Sequence, residues 1–193
     1  MIGTTLAAAL AVMAPPVQDV VNSVPTAYSA APGSVISPAD ATLVQQGLAA
    51  ARARDVARTQ SIMQAISDPA ARKIVGWALV DTSDRQLSYA ELLRAETDLA
   101  GWPRADSRRA AAERALDASG YGGEQAVAFF SKQTPTTVQG AIALASGLEQ
   151  SGRTAEAQAL VRDWWRNQSF DLNEQNRIQS RWGAWLTTDD HDA

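Results

Sequence analysis

The chain contains no cysteine and only one histidine, His191, among its 193 residues. The lack of cysteine excludes disulfide bonds, thiolate metal sites and a cysteine nucleophile. A single histidine three residues from the chain end argues against a serine–histidine–aspartate triad and against a histidine metal centre. The sequence therefore predicts no catalytic residue, no metal ligand and no cofactor-binding residue.

Lysine is also scarce, because the 17 basic residues include only Lys73 and Lys132 besides arginines. Such an arginine bias is typical of GC-rich bacterial genomes, so we expect a bacterial source. The 21 acidic residues give a formal net charge of −4 and an isoelectric point of about 5.0. This charge lacks the electrostatic footprint of nucleic-acid binding. No apolar run reaches the roughly 18 residues of a membrane span, so the sequence predicts neither a nucleic-acid partner nor a membrane span.

Charged residues are nearly absent from the first quarter of the chain, where only Asp19 and Asp40 precede Arg52. Residues 1–14 form a short apolar stretch that ends in small residues, as in a secretory signal peptide. No lysine or arginine precedes this stretch, so it is interpreted as a truncated export signal, with a disordered terminus as the alternative. Residues 15–36 are rich in proline, serine, valine and alanine, which predicts a disordered linker.

From Ser37 onward the sequence carries the signals of helices. Ser37 and Asp68 each precede a proline, which suits the first position of a helix. Ser88 and Glu91 have the spacing of a capping box. Apolar residues recur every three or four positions, and no stretch alternates long enough to predict a strand. Residues 37–193 are therefore predicted to be all-α.

The clearest predicted hairpin consists of two helices joined by a turn at Gly152. Their facing stripes are Ala141, Leu144, Ala145 and Leu148 on the first helix and Ala157, Leu160, Val161 and Trp164 on the second. Alanines let the two helices approach closely, and this stretch resembles a tetratricopeptide unit. Short helices with short turns predict an α-solenoid, a superhelix of such hairpins, over residues 37–193. We expect this domain to be cut before its natural end.

Two further segments have a structural and a functional interpretation. The run from Gly120 to Gly123 has no strand before it and no lysine behind it, so it predicts a helix stop rather than a phosphate loop. The acidic run at 189–192 has the composition of a weak cation site, but a frayed terminus is the preferred interpretation.

Tryptophan is frequent for a chain of this length. The six residues are Trp77, Trp102, Trp164, Trp165, Trp182 and Trp185. Core packing is predicted for Trp77, Trp102 and Trp164, with the Trp77 indole buried between helices. Trp182 and Trp185, three positions apart, share a helix face that is expected to await a partner helix. The functional alternative for tryptophan is stacking on the apolar face of a sugar or contact with a partner protein.

Several short runs occur in an order and spacing that point to a known family. They are ISDPAARKIVGW at 66–77, WP at 102–103, RR at 108–109, AERAL at 112–116, AIALA at 141–145, GRTAEA at 152–157, WWR at 164–166 and LTTDDH at 186–191. Together they resemble the N-terminal superhelical region of soluble lytic murein transglycosylases. The resemblance covers residues 41–193.

The resemblance implies a role in peptidoglycan metabolism. Such enzymes are periplasmic, cleave the glycan between N-acetylmuramic acid and N-acetylglucosamine, and leave a 1,6-anhydro end. One glutamate acts as acid and then as base, and it lies directly before a serine in a separate lysozyme-like domain. None of the seven glutamates in this chain precedes a serine. No catalytic residue is therefore carried over, and the chain alone is expected to be inactive.

Two functions remain open at this point. In the first, the chain is the non-catalytic superhelical portion of a periplasmic lytic transglycosylase. It would position peptidoglycan glycan strands, or partners, for a catalytic domain that this chain lacks. In the second, it is a stand-alone tetratricopeptide-like adaptor that binds a peptide or protein in its concave face. A lysozyme-like domain encoded downstream would identify the first.

Overall fold

The computed structural model describes residues 36–120 and 122–191, and no strand occurs among them. The predicted export signal and nearly all of the predicted linker lie outside the described residues. The α-helices are α1 (Pro38–Arg52), α2 (Val56–Ala65), α3 (Pro69–Ser83), α4 (Tyr89–Asp98), α5 (Ala105–Ser119), α6 (Gly123–Phe129), α7 (Val138–Gln150), α8 (Thr154–Asn167), α9 (Leu172–Trp182) and α10 (Thr188–His191). The all-α prediction is confirmed for this part of the chain.

The helices begin where the capping residues predict. The Ser37 hydroxyl accepts a hydrogen bond from the backbone of α1, and the Asp68 carboxylate accepts one from the Ala71 N–H at 2.7 Å. Ser88 and Glu91 form the predicted capping box, in which each side chain accepts from the other residue's N–H at 3.3 and 2.8 Å. These bonds satisfy donors that the first turn of a helix otherwise leaves open.

The first three helices pack around a small core that includes Ile66 and Val75, both 0% exposed. The buried Asp40 carboxylate connects the start of α1 to the start of α3. It accepts hydrogen bonds from the Ser67 N–H at 2.9 Å and the Asp68 N–H at 3.1 Å. This connection fixes the angle at which the chain enters α3, the helix that lines both recesses described below.

The second half of the described chain is built around α7, which is buried on most of its surface. Helices α5, α6, α8 and α9 all contact it. The predicted hairpin of α7 and α8 is present, with Gly152 in the left-handed region at φ 76° in the turn. Ala145 and Ala157 are 0% exposed at the interface, as the stripes predict. Every substantial helix interface in this part joins helices one or two positions apart along the chain.

Helices α6 and α7 cross at two glycines. A Cβ atom on Gly147 would lie 2.8 Å from the Gly123 carbonyl oxygen, and a Cβ atom on Gly123 would lie 2.8 Å from the Gly147 carbonyl oxygen. Real Cβ atoms do not approach backbone oxygen this closely, so the crossing requires glycine on both helices. The predicted helix stop is correct for Gly120, the left-handed C-cap of α5 at φ 64°. Gly123, however, lies inside the next helix.

Gly147→Ala should therefore destabilise the protein, although alanine is the better helix former. We expect a loss of about 1–3 kcal/mol in the free energy of unfolding, because α6 must move away from α7. Urea unfolding followed by circular dichroism measures it. The matched control is Gly183→Ala, where a Cβ atom meets nothing within 4 Å at a helical φ of −56°. A destabilised control, or an unchanged Gly147→Ala, would contradict this account of the crossing.

The sequence of residues 171–185 predicts one helix, but the structure divides this stretch in two. Helix α9 ends at Trp182, and a short 3₁₀ turn follows at Gly183–Trp185. The turn redirects the backbone so that α10 packs against α8. Tertiary contact thus ends the helix earlier than the 3.6-residue pattern predicted.

Candidate functional site

An open groove lies between α2 and α3 on one side and α4 on the other, with a volume of about 850 Å³. The residues of its floor are glycine or have apolar side chains, and its rim is polar and charged. The floor comprises Met63, Gly76, Leu79, Val80, Leu87, Ala95 and Leu99, and the rim comprises Gln60, Gln64, Pro69, Arg72, Lys73, Glu91, Arg94 and Asp98. Recesses of this size and lining commonly bind ligands.

Polar groups on the rim differ in their availability. Gln60 on α2 donates a hydrogen bond to Glu91 on α4 at 2.6 Å, which joins the two walls. Hydrogen bonds from Ser88 are the main reason that the pKa of Glu91 is lowered. Its side chain is therefore an ionised carboxylate, which accepts hydrogen bonds and does not donate them. Arg72 bonds the Ile66 carbonyl at 2.6 Å.

The two other cations of the rim are open to a ligand. Lys73 and Arg94 are exposed, and neither makes a hydrogen bond or salt bridge with another described residue. These two side chains are therefore the cations of the groove that are available to a ligand.

A second, smaller recess, the Trp77 pocket, lies between α3 and α5 with a volume of about 130 Å³. It is lined by Trp77, Val80, Asp81, Asp84, Arg104, Ser107 and Arg108. Asp81 forms an ion pair with Arg104, and Asp84 forms one with Arg114 at 2.9 Å. Val80 lines both recesses, so the groove and the Trp77 pocket lie on adjoining sides of α3.

Trp77 and Arg108 converge on one backbone carbonyl. The Trp77 indole N–H donates to the Pro103 oxygen at 3.3 Å, and an Arg108 Nη donates to the same oxygen. The other Arg108 Nη donates to the Leu99 and Trp102 oxygens at 2.9 and 3.0 Å, at the C-terminal end of α4. Trp77 is only part-buried, so the prediction of a buried indole is half correct.

The last two tryptophans correct the prediction of an open face. Trp182 is 1% exposed and stacks on Trp185 at 5.9 Å between ring centres. It packs in a core with Ile142, Val161 and Ile178. Because α9 folds back onto α7 and α8, the partner helices expected from elsewhere are supplied by this chain.

The sequence patterns did not predict that any carboxylate is buried. The structure buries three, namely Asp40, Glu113 and Asp190. Glu113 is 0% exposed and accepts hydrogen bonds from the backbone and hydroxyl groups of Thr136 and Thr137 at 2.7–3.1 Å. The only sequence signal for it is its position among the alanines of α5. It braces the loop before α7, and it lines neither recess.

Burial raises the pKa of the half-buried Glu96, beside Arg109. Glu96 also lies outside both recesses. Among residues 36–120 and 122–191 no group of three or more histidine, aspartate or glutamate side chains is placed to hold a metal ion. None of the described helices is both long and apolar enough to cross a bilayer.

The acidic end predicted to fray is ordered as far as His191. Asp190 is 2% exposed and accepts hydrogen bonds from the Thr187 N–H at 2.7 Å and the Thr187 hydroxyl at 2.8 Å. Arg166 on α8 forms an ion pair with it, and the His191 ring lies edge-on to Trp165 at 5.3 Å. The prediction of a frayed terminus was wrong because Arg166, which neutralises Asp190, lies on α8, two helices earlier in the chain.

Acid should release α10 from α8. Hydrogen bonds from Thr187, with Arg166 adding to them, hold the pKa of Asp190 below its usual value of 3.8. The folded pKa is below the unfolded one, so the stabilisation is complete above about pH 4 and is lost as the pH falls through the folded pKa. We expect the indole N–H signal of Trp165 to shift in that range. Asp190→Asn should reproduce the shift at neutral pH, whereas the exposed Asp189→Asn should not. An acid-insensitive signal would contradict this role.

Neither a protein-family model, nor a curated protein, nor a solved structure matches this chain. Its function has to be inferred from the groove, the Trp77 pocket and the residues that form them.

Proposed function

We propose that the described residues belong to the non-catalytic superhelical portion of a periplasmic lytic transglycosylase and position glycan strands of peptidoglycan. The groove is the observation that carries the proposal. Its rim combines donors such as Lys73 and Arg94 with acceptors such as Glu91 and Asp98. Sugar hydroxyl groups both donate and accept hydrogen bonds, so a rim of mixed polarity suits a glycan.

The order of helix packing supports the superhelical part of this proposal. Substantial interfaces join only helices that are one or two positions apart, as in arrays where each repeat contacts its neighbours. In this proposal the α7–α8 hairpin is one repeat unit of the tetratricopeptide kind. Such arrays commonly bind ligands along extended surfaces.

Three of the sequence runs that resemble the family contact one another in the structure, which supports the resemblance. Trp77 ends the run 66–77, Pro103 belongs to the pair 102–103, and Arg108 begins the next run. Their side chains and backbone converge through the hydrogen bonds to the Pro103 oxygen. The runs therefore form one contact unit between α3, α4 and α5.

A protein-interaction adaptor is the second candidate, and the floor of the groove favours it. Its side chains are aliphatic or methionine, and no described aromatic residue lines the groove. An apolar floor between polar walls suits an amphipathic helix. Sugars, in contrast, commonly stack on aromatic rings. The two candidates differ in what should fill the groove.

Co-sedimentation with beads that carry purified glycan strands tests the glycan proposal. The strands are released from sacculi by removal of the stem peptides, so that only glycan is coupled to the beads. We expect the chain to pellet with them and the double variant Lys73→Ala/Arg94→Ala to bind at least about tenfold more weakly. Each hydrogen bond to a charged group contributes ~1.5–3 kcal/mol. The control Arg58→Ala/Lys132→Ala removes the same charge from exposed positions outside the groove.

Absence of pelleting with peptide-free glycan would overturn the proposal, as would equal binding by both double variants. Binding that requires the stem peptides, and that is lost with the groove variant, would favour the adaptor. Circular dichroism of each variant ensures that a loss of binding does not reflect unfolding.

A further inference from the structure

We propose that the Trp77 pocket is a binding subsite for one neutral sugar ring, with the Trp77 indole as its apolar wall. This site is separate from the groove. It rests on the proposed function in one respect, since the sugar would be a unit of the same glycan. Four features of the Trp77 pocket support the proposal, namely its size, its charge balance, an unused buried donor and a strained backbone at its edge.

The size of the Trp77 pocket selects the class of ligand. About 130 Å³ is roughly ten times the ~10–15 Å³ of such space that one water molecule needs. It is far below the ~300–1,000 Å³ of sites that enclose larger ligands. The Trp77 pocket therefore suits a single ring rather than an oligosaccharide or a helix.

The charges of the Trp77 pocket favour a neutral ligand. Asp81 is paired with Arg104, and Asp84 is paired with Arg114. Each carboxylate thus has its counter-charge, and a cation or an anion would gain little from entering. The carboxylate oxygens still have lone pairs to accept hydroxyl hydrogen bonds, and the Ser107 hydroxyl can donate or accept. An indole beside such groups is suited to a molecule with one apolar face and a polar edge.

Arg108 supplies a donor that the protein itself does not use. The residue is 5% exposed and lines the Trp77 pocket. Its two Nη atoms are engaged by backbone carbonyls, but its buried Nε has no hydrogen-bond partner. Buried donors are nearly always satisfied in folded proteins. The atom has less than 1 Å² of exposed surface, so a ligand hydroxyl in the Trp77 pocket would provide the missing acceptor once a small shift of the wall uncovers it.

The backbone at the edge of the Trp77 pocket is strained. Arg104 has φ 63°, in the left-handed region that residues other than glycine rarely adopt. In that conformation its side chain reaches Asp81 across the Trp77 pocket. Strain of this kind persists where surrounding contacts enforce it, and it is concentrated at ligand sites.

The six indole N–H signals in a nitrogen–proton NMR spectrum provide the test. The signal of Trp77 is assigned by its loss in Trp77→Phe, and the protein is titrated with the methyl glycoside of N-acetylglucosamine. We expect the Trp77 signal to shift in a saturable way, with a dissociation constant on the order of 1 mM. Equal concentrations of glycerol should leave it in place. No shift, an equal shift with glycerol, or a shift only of another indole would overturn the inference.

Substitutions in the wall refine the test. Asp81→Asn and Ser107→Ala should each weaken the sugar by about tenfold, the effect of one lost hydrogen bond of ~1.4 kcal/mol. The matched control is Trp102→Phe, because Trp102 packs against the same core but does not line the Trp77 pocket. Unchanged affinity in both wall variants would overturn the assignment of the site. A dispersed spectrum identifies the variants that remain folded.

The sugar titration and the sedimentation experiment fail independently. If the peptide-free glycan binds the chain and the Trp77 signal does not respond to the sugar, this inference is overturned and the proposed function stands. If the Trp77 signal responds and the peptide-free glycan does not bind, the proposed function is overturned and the subsite stands. The variant Lys73→Ala/Arg94→Ala should retain the sugar response, since neither residue lines the Trp77 pocket.

Discussion

Replacing Glu113 with alanine should lower the free energy of unfolding by about 3–5 kcal/mol, the usual cost of removing one partner from a buried charged network. The Glu113 carboxylate is 0% exposed, and it accepts hydrogen bonds from Thr136 and Thr137 and from Arg109 Nε at 3.2 Å. Without it, the Arg109 guanidinium loses its nearest counter-charge while it stays packed 3.9 Å from the centre of the Phe129 ring. Urea unfolding followed by circular dichroism measures the loss.

The control for this prediction is Glu124→Ala. Glu124 is an exposed glutamate in the first turn of α6, so only a helix-dipole contribution of ~0.3–1 kcal/mol is at stake. Hydrogen exchange should also locate the damage. In Glu113→Ala the first turn of α7 should lose protection before the α1–α3 core does. Equal unfolding midpoints for the two variants would show that Glu113 does not hold the loop before α7.

Trp182→Ala should lower the free energy of unfolding by about 3–5 kcal/mol, the second large effect that we expect. Trp182 is the largest of the fully buried side chains among the described residues. Its indole N–H also donates to Glu149 at 3.2 Å, which ties α9 to α7. The cavity would open between α7, α8 and α9, so these helices should exchange amide hydrogens faster before α1–α3 do.

Trp77→Ala serves as the comparison, since its indole is only part-buried. We expect it to lower the free energy of unfolding by less than about 2 kcal/mol, because a part-buried side chain that packs at the edge of a core loses fewer contacts than a fully buried one. Thermal unfolding of the two variants ranks them directly. A cost for Trp77→Ala equal to that for Trp182→Ala would show that the part-buried Trp77 stabilises the fold as much as the fully buried Trp182 does.

Local structure was the part of this fold that the sequence predicted well. The caps at Ser37, Asp68 and Ser88, and the turn at Gly152, depend on residues within four positions of each other. Helix propensities and hydrogen bonds between residues this close in sequence can be predicted from a single sequence. The interface stripes of the α7–α8 hairpin followed from the same periodicity.

The buried carboxylates were not predictable in this way. Asp40 bonds backbone groups 27 and 28 residues away, and Glu113 bonds groups 23 and 24 residues away. A pattern that assigns acidic residues to the surface cannot anticipate partners at such separations. The groove was not predicted either, because no sequence feature near α4 indicates that this helix lies opposite α2. Trp77 and Arg108 could be singled out as parts of separate runs, but not Asp81, Asp84 and Arg104 beside them.

The helices that pack together are close in the sequence, and this affects the rate of folding. Because each helix packs against a neighbour one or two elements away, the contact order of the described chain is low for its length. Topologies of low contact order fold quickly, since little loop entropy is lost before the first contacts form. The α1–α3 core can also close while later helices are still emerging from the ribosome, because every residue of that core precedes them in the chain.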